Sequence, residues 1–225
     1  FFYGENGASI QTPSQTQNVT TKLPIGTKQG DSNLLFVGTL IVDIIGTTTA
    51  KNTSVSVNPP ETAEAGLKLV ENETAVVDKI YKTDPDQALT LIQSMSSILS
   101  NIVDSESDND DDIIDTSKDS RNTLLKYTES IAEQVDNTAD IGAAFTCIES
   151  LSSVDTSSLT SSGQQSIITT VSALANSSTE LGTISDRMAT LAVSSISNVI
   201  KAGALATLPS SSIVESLAFI NSAIT

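Results

Sequence analysis

Histidine and tryptophan are absent from this 225-residue chain, and cysteine occurs once. Without an imidazole there is no Ser-His-Asp or Cys-His chemistry. The Glu-x-x-His motif of di-iron helical bundles is excluded for the same reason. No Gly-x-Ser-x-Gly elbow, no Ser-x-x-Lys alternative and no Gly-rich phosphate loop is present. The chain therefore reads as noncatalytic. Aromatic residues are also scarce, at 4% against 38% hydrophobic residues in all. A core of Ile, Leu, Val and Ala suits packed helices, whereas a large sandwich usually contains more rings.

Basic residues are few: 11 against 27 acidic ones, a formal charge of −16. Such a surface repels a phosphate backbone and an anionic bilayer. Cations, basic partners and solubility remain as its consequences. Long apolar runs are missing too. The longest, Leu34 to Ile45, has about 12 residues and contains Asp43, whereas a spanning helix needs about 20. Phe1 starts within a strand pattern with no basic segment ahead of it, so the chain reads as part of a longer polypeptide. Cys147 lies on or beside an apolar helical stripe. It reads either as a buried thiol or as half of a disulfide to a residue outside this stretch.

What is present changes character at Pro59-Pro60. Ahead of it lie strand patterns. Phe1-Phe-Tyr3 is an aromatic run ended by Gly4, and residues 5–20 read as loop. Leu23-Pro-Ile-Gly26 reads as a corner. Leu34 to Ile45 is β-branched and nearly apolar on both faces, Gly46 and the Thr-rich segment after it make a turn, and Thr53 to Val57 alternates. The last two runs are expected to pair antiparallel as the final hairpin of a β-sandwich. The strands are too few to close it alone, so its remaining strands are expected before Phe1 or from a neighbour.

After the prolines the period is helical. A weaker helix covers Ala63 to Tyr81. Asp84-Pro-Asp-Gln87 is a strong start signal, with Asp84 as cap, Pro85 at the first helical position and Gln87 completing a capping box. Ala88, Leu91, Ile92, Met95, Ile98, Leu99 and Ile102 follow it. Further stripes are Leu124, Thr128, Ile131 and Val135; Ile141, Ala144, Ile148 and Leu151; and Ile167, Val171 and Leu174. Two more are Leu181, Ile184, Met188, Leu191, Ser195 and Val199, then Ile213, Leu217, Ile220 and Ile224. The predicted linkers, Val154 to Ser157, Asn176 to Ser178 and Ala202 to Pro209, are short and polar, which favours antiparallel neighbours. The expected fold class is α+β, mostly α: part of an antiparallel sandwich over residues 1–58, then an antiparallel multi-helix array over 61–225.

Two sets of candidate functional residues stand out. Asp104, Glu106, Asp108, Asp112 and Asp115 place carboxylates at positions 1, 3, 5, 9 and 12 of an EF-hand-like loop between two helices. Asn109 stands where that loop needs glycine, and Asp115 is shorter than the usual bidentate Glu. The same run reads as a solvated acidic loop; otherwise its ligand would be Ca²⁺. Four N-glycosylation sequons begin at Asn18, Asn52, Asn72 and Asn176. Together with the Ser/Thr-rich helices they suit an extracellular setting. In a chain rich in Asn, Ser and Thr several sequons also arise by chance.

The order of the β motifs resembles the end of a REJ (receptor for egg jelly) module of polycystin-like proteins. It is carried by Phe2 and Tyr3, by Leu23, Pro24 and Gly26, by Val42, Asp43 and Gly46, and by Val55, Val57 and Pro59. The helical remainder is similar in rhythm to the first, helical half of a GAIN domain. The resemblance implies an Ig-like or fibronectin-like sandwich followed by helices, in a glycosylated cell-surface or ciliary ectodomain of a membrane protein. It implies adhesion or structural work, with other chains or further modules of the same chain as partners. GAIN self-cleavage needs a His-Leu-Ser/Thr type motif in the following β-half. This chain has no histidine, so that activity does not transfer. Two other expectations stand beside this one: a structural subunit of an extracellular filament such as a ciliary hair, and an acidic cytoplasmic scaffold that binds a basic partner through residues 104–115.

Overall fold

The structure is a computed structural model that describes residues 2–3, 8–9, 23–25, 27–29, 32–42, 48–105, 111–153, 159–182 and 185–202. The fold is α+β and mostly α. Among the described residues, five short or medium strands precede six helices: β1 Phe2–Tyr3, β2 Ala8–Ser9, β3 Thr27–Gln29, β4 Ser32–Val42 and β5 Thr48–Ser56, then α1 Ala63–Ile80, α2 Pro85–Ser105, α3 Asp111–Ala132, α4 Thr138–Ser153, α5 Ser161–Glu180 and α6 Asp186–Lys201.

The strands join one antiparallel sheet, with β4 at its centre. β5 runs along one edge of β4 from Leu34↔Ser56 to Val42↔Thr48: the two runs pair antiparallel as expected, but the second strand starts at Thr48, inside the Thr-rich segment read as turn, rather than at Thr53. β1 and β3 share the other edge, at Phe2↔Gly38 and Thr27↔Leu34. β2 falls inside the segment expected to be loop and pairs with β1. Two residues are too few to show a strand period. The facing sheet of a sandwich is not among the described residues. On one face of β4, Leu35 is buried against Leu23, Val37, Val55 and Val57. On the other face Phe36 is 44% exposed, and on the Leu35 face Ile41, at the far end of the strand, is 58% exposed. The run that looked apolar on both faces is thus covered only in part.

The helices form two layers, as the side-chain pairings show. Gly66 of α1 lies against Ile98 and Ile102 of α2, while Thr74 Oγ1 meets Met95 Sδ at 3.5 Å, so these two helices are antiparallel. Gln93 Nε2 donates to Ala143 O at 3.3 Å, and Ser96 and Ser150 share a 2.7 Å hydrogen bond, so α2 and α4 run parallel. Ser194 Oγ donates to Glu149 Oε1 and Asn198 Nδ2 to Ser152 Oγ, which places α6 parallel to α4 on its other side. In the second layer α1 packs on α3 and α3 on α5. Tyr127 of α3 donates its hydroxyl to Asp78 Oδ1 of α1 at 2.7 Å, and its ring lies 5.2 Å from that of Tyr81. Neighbours in sequence thus cross between layers, and alternate helices lie side by side.

The helix stripes form the core between the layers. Ile92, Leu124, Ile131, Ile141, Ala144, Phe145, Ile148, Leu151, Ile167, Val171 and Leu174 are all fully buried. Local chemistry sets the helix ends. Asp84 Oδ1 accepts from Gln87 N at 3.1 Å, the expected cap. The reciprocal half of the box is replaced, because the Asp84 N–H donates to Ile80 O at 2.7 Å. Thr62, Thr160 and Ser185 cap α1, α5 and α6 through their hydroxyls.

Two expected helix boundaries are wrong. Asn176-Ser-Ser178 is no linker; it lies within α5, where Thr179 Oγ1 donates to Ala175 O and Ser178 is buried. The helix ends instead near Gly182, whose φ of 62° breaks the period. Leu181 therefore does not belong to the stripe of α6; it is the C-cap residue of α5 and is 42% exposed. Ile184, Val154 to Ser157 and the stripe from Ile213 to Ile224 lie outside the described residues.

The sheet and the helices meet through the corner. Ser94 Oγ donates to Leu23 O at 3.2 Å, and Ile25 N donates to Ser97 Oγ at 3.0 Å. Ile25 packs on the helical core, while Leu23 packs on Leu35 of the sheet. β2 lies beside α4. α2, with the corner on one side and α1 and α3 on the other, is consequently buried on almost all sides from Ala88 to Leu99, including Thr90, Gln93, Ser94 and Ser96.

Candidate functional site

The acidic run is divided by the structure. The backbone at Asp104 belongs to the last turn of α2, and Glu106 and Asp108 lie outside the described residues. Asp112 and Asp115 sit in the first turns of α3, both exposed. Asp115 Oδ1 accepts from Lys118 Nζ at 3.0 Å. Among the described residues no three Cys, Asp or Glu side chains gather as a metal set. Two of the five candidate ligands are therefore placed with their side chains, one of them paired with a lysine.

The sequon asparagines are more informative. Asn52 is exposed on β5, opposite Gly38; Asn72 is exposed on α1; Asn176 is exposed on α5. Asn18 lies outside the described residues. The third residues of two sequons face inward. Thr74 Oγ1 donates to Val70 O at 2.7 Å. Ser178 Oγ is buried and has no hydrogen-bond partner.

Cys147 is a free, fully buried thiol in α4. Its Sγ donates to Leu89 O at 3.3 Å. Burial pushes its pKa up to about 12, against the opposing pull of a hydrogen bond with Gln93. Of the two readings of this cysteine, the structure has the buried one.

Two features were not singled out from sequence. A groove of about 620 Å³ between α1 and α3 is lined by Glu64, Lys68, Glu71, Thr74, Asp119 and Thr123, among others. The second is a pair of carboxyls, Asp86 in the first turn of α2 and Asp140 in the first turn of α4. The sequence does carry a local signal for the latter, since Asn137-Thr-Ala-Asp140 is a helix-start pattern. Asp140 N donates to Asn137 Oδ1 at 3.0 Å, and Asn137 Nδ2 donates back to Asp140 Oδ2 at 2.7 Å.

No family model, curated protein or solved structure matches the chain. The class is accordingly that of the fold itself: an α+β protein, mostly helical, with a two-layer helical array docked on an antiparallel sheet. Among its described residues no helix is long and apolar enough to cross a membrane.

Proposed function

We propose that the chain is a noncatalytic structural or adhesion segment of a cell-surface or ciliary ectodomain, of the kind the REJ–GAIN resemblance implies. The observation that carries this reading is the junction at Leu23–Ile25. Sheet and helices are tied by backbone-to-side-chain hydrogen bonds on both sides of Pro24 and by apolar contacts to both cores. A segment whose modules are fixed to one another passes a pull from one to the next, which is what spacer and adhesion arrays do. Residues 1–58 and 61–225 remain the proposed modules, joined at Pro59-Pro60 and coupled through the corner. The exposed positions of Asn52, Asn72 and Asn176 agree with a glycosylated surface.

The test is peptide mapping of the protein purified from its source, with and without enzymatic removal of N-glycans. Glycan mass at one or more of Asn18, Asn52, Asn72 and Asn176 is the expected result. A chain found unglycosylated and confined to the cytosolic fraction contradicts the reading.

A further inference from the structure

Asn52 and Phe36 lie on one face of the sheet. The register pairs Gly38 with Asn52 and Phe36 with Ser54, and residues directly opposite one another share a face. Phe36 and Asn52 are therefore diagonal neighbours, about 7–8 Å apart. Their own cross-strand partners are small: Gly38 has no side chain and Ser54 a short one. Phe36 is 44% exposed, and it is the one aromatic among the exposed large hydrophobic side chains of the described residues. The sequon Asn52-Thr-Ser54 is exposed at all three residues, whereas Thr74 of the Asn72 sequon is half-buried and Ser178 of the Asn176 sequon is buried. We propose that an N-glycan on Asn52 rests its first sugar on the Phe36 ring, so that this face of β4 and β5 is closed by carbohydrate. The proposal deepens the ectodomain reading above and rests on it.

An asparagine side chain and one pyranose ring span the diagonal. The faces of the sugar carry C–H groups whose hydrogens are weakly positive, and the face of an aromatic ring is negative. Stacking the two takes apolar surface of both out of water. It leaves no polar group unpaired, because the sugar hydroxyls point outward from the rim of its ring to solvent. The sugar joins Asn52 Nδ2 by an N-glycosidic bond. That bond forms as the anomeric C–O bond of a polyprenyl-diphosphate-linked oligosaccharide breaks; the diphosphate and one amide proton leave. Stacked sheets pack about 10 Å apart, and a sugar seated on Phe36 fills that space. Glycan and facing sheet therefore exclude one another on this face.

The seat is tested on the full chain secreted from eukaryotic cells fed ¹³C-glucose, with every glycan trimmed to its first N-acetylglucosamine. Peptide mapping reads the occupancy of Asn52, and NMR reads the C–H groups of its sugar. An upfield ring-current shift is expected, relative to the same sugar on the urea-unfolded chain. Phe36→Leu keeps the apolar bulk without the ring and is expected to abolish the shift, while Phe36→Tyr is expected to keep it. If Phe36→Leu fails to fold, a nuclear Overhauser contact between the sugar and the Phe36 ring in the parent chain reads the same seat. A bare Asn52, an Asn52 sugar without the shift or the contact, or a shift that persists in Phe36→Leu overturns the proposal and leaves the ectodomain reading standing. That reading fails separately, on the protein from its source, if the chain is unglycosylated and cytosolic there.

Discussion

Ser178 is fully buried in α5 with an unpaired hydroxyl, and it is also the third residue of the Asn176 sequon. A buried hydroxyl without a partner destabilises, and an apolar replacement of similar size relieves it. Ser178→Ala is expected to leave stability unchanged or raise it by up to about 1 kcal/mol in urea denaturation, and to remove any glycan at Asn176. Cys147 gives a second residue-scale expectation. Its thiol is fully buried and held protonated by that burial, and the thiolate is the reactive species. A thiol reagent at pH 8 is expected to leave the native chain unmodified and to label one thiol once it is unfolded; rapid labelling of the native chain contradicts the burial. The buried thiol was one of two readings open from sequence, because the residue sits in a clear apolar stripe. That α2 and α4, which start with Asp86 and Asp140 in their first turns, lie side by side was not legible, since periodicity carries no information on which helices pack together.

At the scale of elements, most helices were legible because apolar residues recur at three and four and because hydroxyl or carboxyl caps precede them. The failures cluster where serine and threonine dominate. Asn176-Ser-Ser178 resembles a linker in composition, yet Thr179 and Ser178 are accommodated inside α5, and the chain turns only at Gly182. Gly182→Ala tests this. A Cβ there meets nothing within 4 Å, so the whole effect is the positive φ of 62°. Destabilisation of about 1–2 kcal/mol is expected, read as a lowered denaturation midpoint with an unchanged slope. Among the strands, the β4–β5 hairpin was legible from its β-branched and alternating runs. β2 was not, because its two residues gain their conformation from pairing with β1 rather than from propensity.

For the whole molecule, the change of pattern at Pro59-Pro60 marked a boundary correctly in sequence terms but concealed a connection in space. Leu23-Pro-Ile25 reads locally as a corner of the β region. In the fold it bridges the two parts, with Leu23 on the sheet cluster and Ile25 on the helical core. The reason lies in α2, whose Ser94 and Ser97 look like solvent-facing positions but present their hydroxyls to the backbone of the corner. Polar residues buried for a backbone partner cannot be told from exposed ones by pattern alone. A pH response comes from elsewhere in the helical array: burial raises Asp140, so it favours the protonated, folded form between the unfolded and folded values. Its contribution to thermal stability is therefore expected to fall between pH 5 and pH 8 in the parent chain and to be absent in Asp140→Asn.

The coupling of sheet to helices is tested most directly by hydrogen exchange with mass spectrometry on the intact chain carrying Ser94→Ala and Ser97→Ala. Removing both hydroxyls takes away the partners of the Ile25 N–H and the Leu23 carbonyl, which are part-buried, at a cost of up to about 1 kcal/mol each. Faster exchange in β4 and β5 together with faster exchange in α2 is predicted, because the corner holds both. Unchanged protection in β4 and β5 would contradict the account, since the sheet and the helical array would then be independent of the junction at Leu23–Ile25.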